Sequence, residues 1–259
     1  MSEVKWPIED PFFVLDPQAR AGYWEDVHAG QDYDNVYSLT EDEGLRLKIV
    51  GDLRKAGPRR ILIPGCGSRV ELQRAVIEQL EDVEIVCVDF PGVVEMAEAR
   101  FAHPQLKYVG SDINTYASDV PFDAVVHVTS VVSELDSENR HILKATSELL
   151  RPGGLMIGVF PTVFAMLDVS LVTGETWRSN NIDLPSSSYE EPKQGVRQIF
   201  YTPLRLRRIL IESGLTLEEM TIFFNDSEHL RLEGAKQYNL HDEDAVLYHL
   251  YCVAVRTQS

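Results

Sequence analysis

Positive charge is scarce in this chain. Across 259 residues, 24 Lys and Arg stand against 41 Asp and Glu, a formal net charge of −17. A surface this acidic repels phosphate backbones, which argues against nucleic acid as substrate. The one basic cluster, "RLRR" at 205–208, has helical spacing and reads as a solvated face. Cysteine is equally sparse. Cys66, Cys87 and Cys252 are the only three. They lie far apart and form no CxxC, so reduced thiols of a cytoplasmic protein are expected rather than a disulfide framework or a zinc site. No apolar run approaches the roughly 20 residues that cross a bilayer. The N-terminus "MSEVKWPIEDPFF" lacks the basic-then-apolar order of a secretory signal. No internal repeat is visible. These absences leave a soluble globular protein, with no membrane partner expected.

Strands and helices alternate from residue 60 onward. "RRILIPG" reads as a buried strand, and "SRVELQRAVIEQL" as a helix with Val70, Leu72, Val76, Ile77 and Leu80 on its apolar side. Ser68 and Glu71 have the spacing of a capping box. "VEIVCVDF", "QLKYVGSD", "FDAVVHVTS" and "LMIGVFP" read as further strands, with helices "GVVEMAEARFA" and "SENRHILKATSELL" between them. This rhythm predicts an α/β fold: a doubly wound, mostly parallel seven-stranded sheet. Its last two strands, "LTLEEMTIFFND" and "AVLYHLYCVAVRT", lack room for a crossover and are expected to form a C-terminal antiparallel hairpin. Residues 1–57 read as an N-terminal helical cap on a core of 58–259. Residues 161–202 break the rhythm with a Ser-, Asn- and Pro-rich loop or lid after strand five.

In such a sheet a ligand sits at the carboxyl ends of the strands. Gly65-Cys66-Gly67 follow the first strand, where glycine permits close backbone approach. Asp89 and Phe90 follow the second, at close to the roughly 20-residue interval of a ribose-binding acid. Asp112 and Ile113 follow the third, and Thr129 and Ser130 the fourth. A carboxylate after strand two can accept both hydroxyls of a ribose. A second one can accept from an adenine amino group, with Phe90 and Ile113 against the ring. The plainer reading of both acids is that of strand-end turn residues.

Taken in order, "ILIPGCGSR", "VCVDF", "VGSDI", "FDAVVHVTSVVSEL", "ELLRPGGLMIGVF" and "YTPLRLRRILIESGL" resemble the class I S-adenosylmethionine-dependent methyltransferases. The match is close over 60–160 and loose over 200–259. It implies a Rossmann-like fold, S-adenosyl-L-methionine as cofactor and methyl transfer as activity. It also implies cofactor-binding roles for Gly65, Cys66, Gly67, Asp89, Phe90, Asp112, Ile113 and Thr129. Tyr33 and Tyr37 fall where related enzymes fold an N-terminal segment over the cofactor; packing of the cap is the alternative. Two positions depart from the family pattern. Ile63 stands where an acid is common, and Arg69 where a third glycine is common. Arg69 either pairs with the cofactor carboxylate or points to solvent.

The acceptor is expected to be a small metabolite or natural product. The segment "TSVVSE" lacks the Asn/Asp-Pro-Pro-aromatic box of nucleic-acid amine methyltransferases. Trp177, Arg178, Asn180, Asn181 and Tyr189 of the insertion form a mixed aromatic and polar set suited to a small organic ligand. His127 and Glu134 are candidates for a general base, with a packed histidine and a solvated loop as the alternatives; Asp136 follows in the same loop. "HDED" at 241–244 resembles a metal cluster in composition only, His229 has no evident partner, and no metal is expected. A nicotinamide-dependent oxidoreductase would need glycine where Val70 stands. Its Tyr189-to-Lys193 pair is interrupted by Pro192. A methyltransferase-like binding protein without catalysis is the remaining alternative. Oligomeric state is not readable.

Overall fold

A computed structural model describes residues 17–30, 39–173, 182–191, 196–225 and 247–257, with isolated positions at 228, 231–232, 235–236 and 241. Two helices come first, α1 (Pro17–Ala29) and α2 (Glu43–Ala56), with a short 3₁₀ turn (Leu39–Glu41) before the second. Asp42 caps α2 by accepting from Leu45 N at 2.8 Å, and Gly57 ends it in the left-handed conformation at φ 60°. The alternation then runs β1 (Arg60–Pro64), α3 (Glu71–Gln79), β2 (Glu84–Asp89), α4 (Pro91–Arg100), β3 (Leu106–Gly110), β4 (Phe122–Val128), α5 (Asp136–Leu149) and β5 (Leu150–Pro161). After α6 (Val163–Thr173) come the short strands β6 (Ile182–Asp183), β7 (Ser188–Glu191) and β8 (Val196–Ile199). Then α7 (Pro203–Glu212), β9 (Leu215–Phe224) and β10 (Tyr248–Arg256) close the fold.

Seven strands make one sheet in the order β3-β2-β1-β4-β5-β10-β9. Its first five strands are parallel, while β10 runs antiparallel to both β5 and β9. The order reverses between β1 and β4, and that switch point opens a crevice at the strand ends. The expected architecture and C-terminal hairpin are present. Central strands are apolar on both faces because helices cover both. On one face Leu45, Ile49 and Leu53 of α2 and Leu72 and Val76 of α3 pack against Ile61, Cys87 and Ile157. On the other, Ile142 and Leu143 of α5 and Leu206 and Ile209 of α7 pack against Leu62, Val86 and Met156. Each such side chain, fully withdrawn from water, contributes about 1.5–3 kcal/mol.

Three details differ from the sequence reading. Ser68 and Glu71 make no capping box: α3 begins at Glu71 with no side-chain cap bond. The Ser68 hydroxyl is drawn instead to His28 Nδ1 at 3.1 Å. Strand five starts early, at Leu150, and absorbs Arg151-Pro152-Gly153-Gly154 through a register shift after Phe122. The segment after strand five is more than a loop. It contains α6 and a three-stranded antiparallel sheet ordered β6-β7-β8. Ala165, Met166 and Val169 of α6 pack with Tyr189 and Leu247 in a small core. A buried ion pair joins α5 to α7 and, through Arg205, reaches this unit. Arg205 Nη2 lies 2.5 Å from Asp136 Oδ1 at the start of α5. Arg205 Nη1 also donates to Ser186 O in the turn before β7. Arg140 Nε reaches the second Asp136 oxygen at 2.6 Å.

Candidate cofactor crevice at the strand ends

The turn after β1 is held from below and from the side. Gly65 N donates to Val88 O at 2.8 Å, tying the turn to the end of β2. Gly65 has φ 60° and Gly67 φ 65°, a region costly for residues with a Cβ. A methyl group on Gly65 would lie 2.5 Å from Ser130 Cβ, so the turn and the segment after β4 are in direct contact. Thr129 itself takes φ 50° and donates to Val159 O at 2.9 Å. A non-glycine residue held there marks local strain, which concentrates at ligand sites.

Asp89 organises the adjoining loop. Its Oδ2 accepts from Gly67 N at 2.8 Å and its Oδ1 from Phe90 N at 2.8 Å. Burial raises its pKa to about 6, against the pull of those two backbone donors. Each carboxylate oxygen keeps a second lone pair. Ser111 N donates to Asp89 O at 2.8 Å, which aligns the ends of β2 and β3. Asp112 Oδ1 then accepts from Asn114 N at 2.9 Å and from Asn114 Nδ2 at 3.0 Å. The two carboxylates therefore stand at the ends of adjacent strands, with Phe90 and Ile113 beside them and partly open.

Helix α1 spans the ends of β1 and β2. Glu25 Oε1 accepts from Gly92 N at 2.8 Å, in the first turn of α4 where a negative charge is favoured. His28 bonds Ser68 beyond the glycine turn. Burial, then the nearby Arg100 and Arg69, push the His28 ring down to about 4, so it is neutral. These contacts join residues 40 and 67 positions apart, and no local pattern announces them.

Arg69 does not point to solvent. It is 7% exposed and pairs with Glu41. That ion pair ties the glycine turn to the 3₁₀ turn before α2. Ile63 is interior to β1, paired with Cys87. Cys66 is buried as well. A hydrogen bond with Cys87 and burial raise its thiol well above the ordinary range, so the thiolate is suppressed. His127 is fully buried between Ser130 Oγ at 2.9 Å and Thr146 Oγ1 at 3.0 Å. Burial pushes it down to about 3, and both ring nitrogens are engaged within the core. Glu134 is half-buried, with Ser133 Oγ 3.4 Å from its carboxylate. Tyr189 lies inside the small core, 2% exposed, its ring 5.5 Å from that of Phe200. Tyr33, Tyr37, Trp177, Arg178, Asn180, Asn181, His229 and most of the "HDED" segment lie outside the described residues. Among the described residues no group of three potential metal ligands comes together, and no helix is long and apolar enough to cross a membrane.

No family model matches the chain, and the search of curated proteins found no match. Solved structures do share its architecture. The N-methyltransferase NodS of Bradyrhizobium japonicum, in complex with S-adenosyl-L-homocysteine, aligns with 92% of this chain and 98% of its own at a TM-score of 0.59 and 14% identity. The 1,6-didemethyltoxoflavin-N1-methyltransferase of Burkholderia thailandensis, with bound 1,6-didemethyltoxoflavin and S-adenosylhomocysteine, aligns with 95% of this chain and 92% of its own at 0.62 and 15% identity. The magnesium protoporphyrin IX methyltransferase of Synechocystis, with bound S-adenosylhomocysteine, aligns with 91% and 94% at 0.60 and 13% identity. The chain has the class I methyltransferase fold. Within that fold, the glycine turn, Asp89 and Asp112 occupy the carboxyl ends of β1, β2 and β3 in sequence order, and Thr129 and Ser130 border them from β4.

Proposed function

We propose that the protein is an S-adenosylmethionine-dependent methyltransferase acting on a small molecule. One observation carries this reading: the Gly65–Gly67 turn is locked to the Asp89 carboxylate through Gly67 N. A nucleoside needs that pairing of close backbone and acid at the switch point. The residues fit the cofactor. Asp89 has oxygen lone pairs for the ribose hydroxyls. Asp112 has an oxygen for the adenine amino group, with Phe90 and Ile113 to flank the ring.

When bound, the cofactor supplies an activated methyl group on a sulfonium, so the difficult chemistry belongs to it. The protein's share is alignment and exclusion of water. Glu25 and His28 hold α1 across the crevice, which shields the ends of β1 and β2 from solvent. The Arg69–Glu41 pair fixes the far side of the turn. Because Arg69 is already engaged with Glu41, it is not assigned to the carboxylate of the methionine portion. The described residues at the crevice present neither an activated thiolate nor an accessible, basic histidine ring among those foreseen from sequence. Orientation therefore carries the larger part of the rate.

Two of the similar structures named above carry small acceptors in their names, 1,6-didemethyltoxoflavin and magnesium protoporphyrin IX, and the net charge of −17 disfavours polyanionic ones. The test is calorimetry with S-adenosylhomocysteine. Micromolar binding by the wild type and loss of at least tenfold in Asp89→Ala are expected. Unchanged affinity in the variant would remove Asp89 from the site. Incubation of labelled cofactor with a metabolite library then searches for the acceptor.

A further inference from the structure

Beyond the cofactor crevice, one polar side chain stands on the sheet where an acceptor molecule would lie. His249 is the second residue of β10, opposite Pro161 at the end of β5 and Phe223 on β9. Because β10 runs antiparallel to β5, its beginning lies at the same edge as the carboxyl ends of the parallel strands. His249 shares its face with Tyr251, whose hydroxyl donates to Asp52 of α2 at 2.8 Å. It therefore sits beneath the start of α2, where Gly44 packs near the Phe223 ring. On the reading above, Asp89 at the end of β2 would hold the cofactor's ribose, with the turn after β1 and the corner after β4 beside it. Two strand spacings further, roughly 10 Å, lies β10. That distance is the width of one small organic molecule.

The ring is oriented by a neighbour. Asn225 Nδ2 lies 3.1 Å from His249 Nδ1, and Asn225 itself is 1% exposed. An amide nitrogen only donates, so Nδ1 accepts, and the proton of the neutral ring sits on Nε2. Burial keeps the ring in its neutral form. No hydrogen-bond partner for Nε2 occurs among the described residues, and the ring retains part of its surface. A fixed N–H donor with no acceptor among the described residues, at the strand-end edge, suits a ligand oxygen.

We infer that His249 Nε2–H anchors the acceptor molecule by donating to a carbonyl or phenolic oxygen on it, resting on the methyltransferase reading above. A neutral oxygen is chosen over a carboxylate because the molecule's net charge opposes anions. The side chain sets which acceptor is held and how its nucleophile faces the methyl group. It does not take up the proton, since a ring kept neutral by burial is a poor base and a good donor.

Two measurements test this. In ¹⁵N-histidine-labelled protein, the His249 resonances should report the neutral Nε2–H tautomer at pH 7; an Nδ1–H tautomer would overturn the inference. The second uses the complex with S-adenosylhomocysteine and a matched fragment set: catechol, 4-hydroxyacetophenone and salicylamide against toluene and ethylbenzene. Oxygen-bearing fragments should shift the His249 Nε2–H signal. Their affinity should fall at least fivefold in His249→Phe and recover in His249→Gln, which restores an N–H donor. S-adenosylhomocysteine itself should bind both variants within twofold of wild type. Oxygen-bearing fragments that ignore His249, or bind His249→Phe as well as wild type, would sink the anchoring role while leaving the cofactor site intact. Failure of S-adenosylhomocysteine to bind the wild type would sink the methyltransferase reading and this inference with it.

Discussion

Asp89 has two duties at once. It holds the glycine turn through Gly67 N, and on the proposed reading its remaining lone pairs receive the ribose hydroxyls. Burial raises it from 3.8 to about 6 in the folded chain. The folded form therefore binds a proton more readily than the unfolded one, so this residue favours the fold at low pH, and that contribution is lost as pH rises through about 6. Ligand binding has the opposite sense, because ribose hydroxyls donate to the ionised form. The affinity for S-adenosylhomocysteine should weaken as pH falls from 7 to 5, and Asp89→Asn should bind weakly with a flat profile over that range. Calorimetry at four pH values decides it. Asp89 was legible in the sequence because its position depends on one strand and one interval. His249 was not. Its meaning depends on Asn225, and that pairing exists only because β9 and β10 are in register. Neither reading of Arg69, cofactor partner or solvent-facing residue, foresaw its ion pair for a similar reason, since its partner Glu41 belongs to a separate element.

Among the elements, α1 was visible as a helix but not as a strap. Glu25 and His28 bridge two strand ends through contacts that no local periodicity encodes. Truncating both, as Glu25→Ala with His28→Ala, should speed dissociation of S-adenosylhomocysteine by threefold or more in stopped flow while far-ultraviolet circular dichroism of the core is unchanged. The proposed capping box illustrates the converse error. Ser68 and Glu71 have suitable spacing, but the Ser68 hydroxyl has a tertiary partner, and tertiary partners outweigh local propensity. The insertion was misread as a loop because its strands are short and its core is borrowed from α6 and Leu247. Arg205 ties it to the core, donating to Ser186 O while it pairs with Asp136 of α5. Arg205→Ala would leave Asp136 with only Arg140 for company, and breaking such a buried pair costs about 3–5 kcal/mol. A lowered urea midpoint checks this, and Arg205→Met, which fills the space without the charge, should not recover it while Asp136 remains.

At the scale of the whole molecule, the alternation of strands and helices was readable because a parallel sheet needs continuous apolar strands and regular crossovers. Both leave strong marks in composition. The surface follows another rule. A net charge of −17 repels itself, and salt screens that repulsion. The melting temperature should therefore rise between 20 mM and 300 mM sodium chloride, as differential scanning fluorimetry would show. Gly65 and Ser130 belong at this scale too, since they follow β1 and β4, neighbours in the sheet but far apart in sequence. Gly65→Ala should destabilise the protein, and adding Ser130→Gly should return part of the loss; the strain of a positive φ, about 1–2 kcal/mol, would stay. The contact has a practical side. An engineer who moves this glycine turn into a different scaffold must carry the β4 corner with it. The two segments are a lock and its matching ward, and a mutational library that varies either one alone samples mostly broken keys.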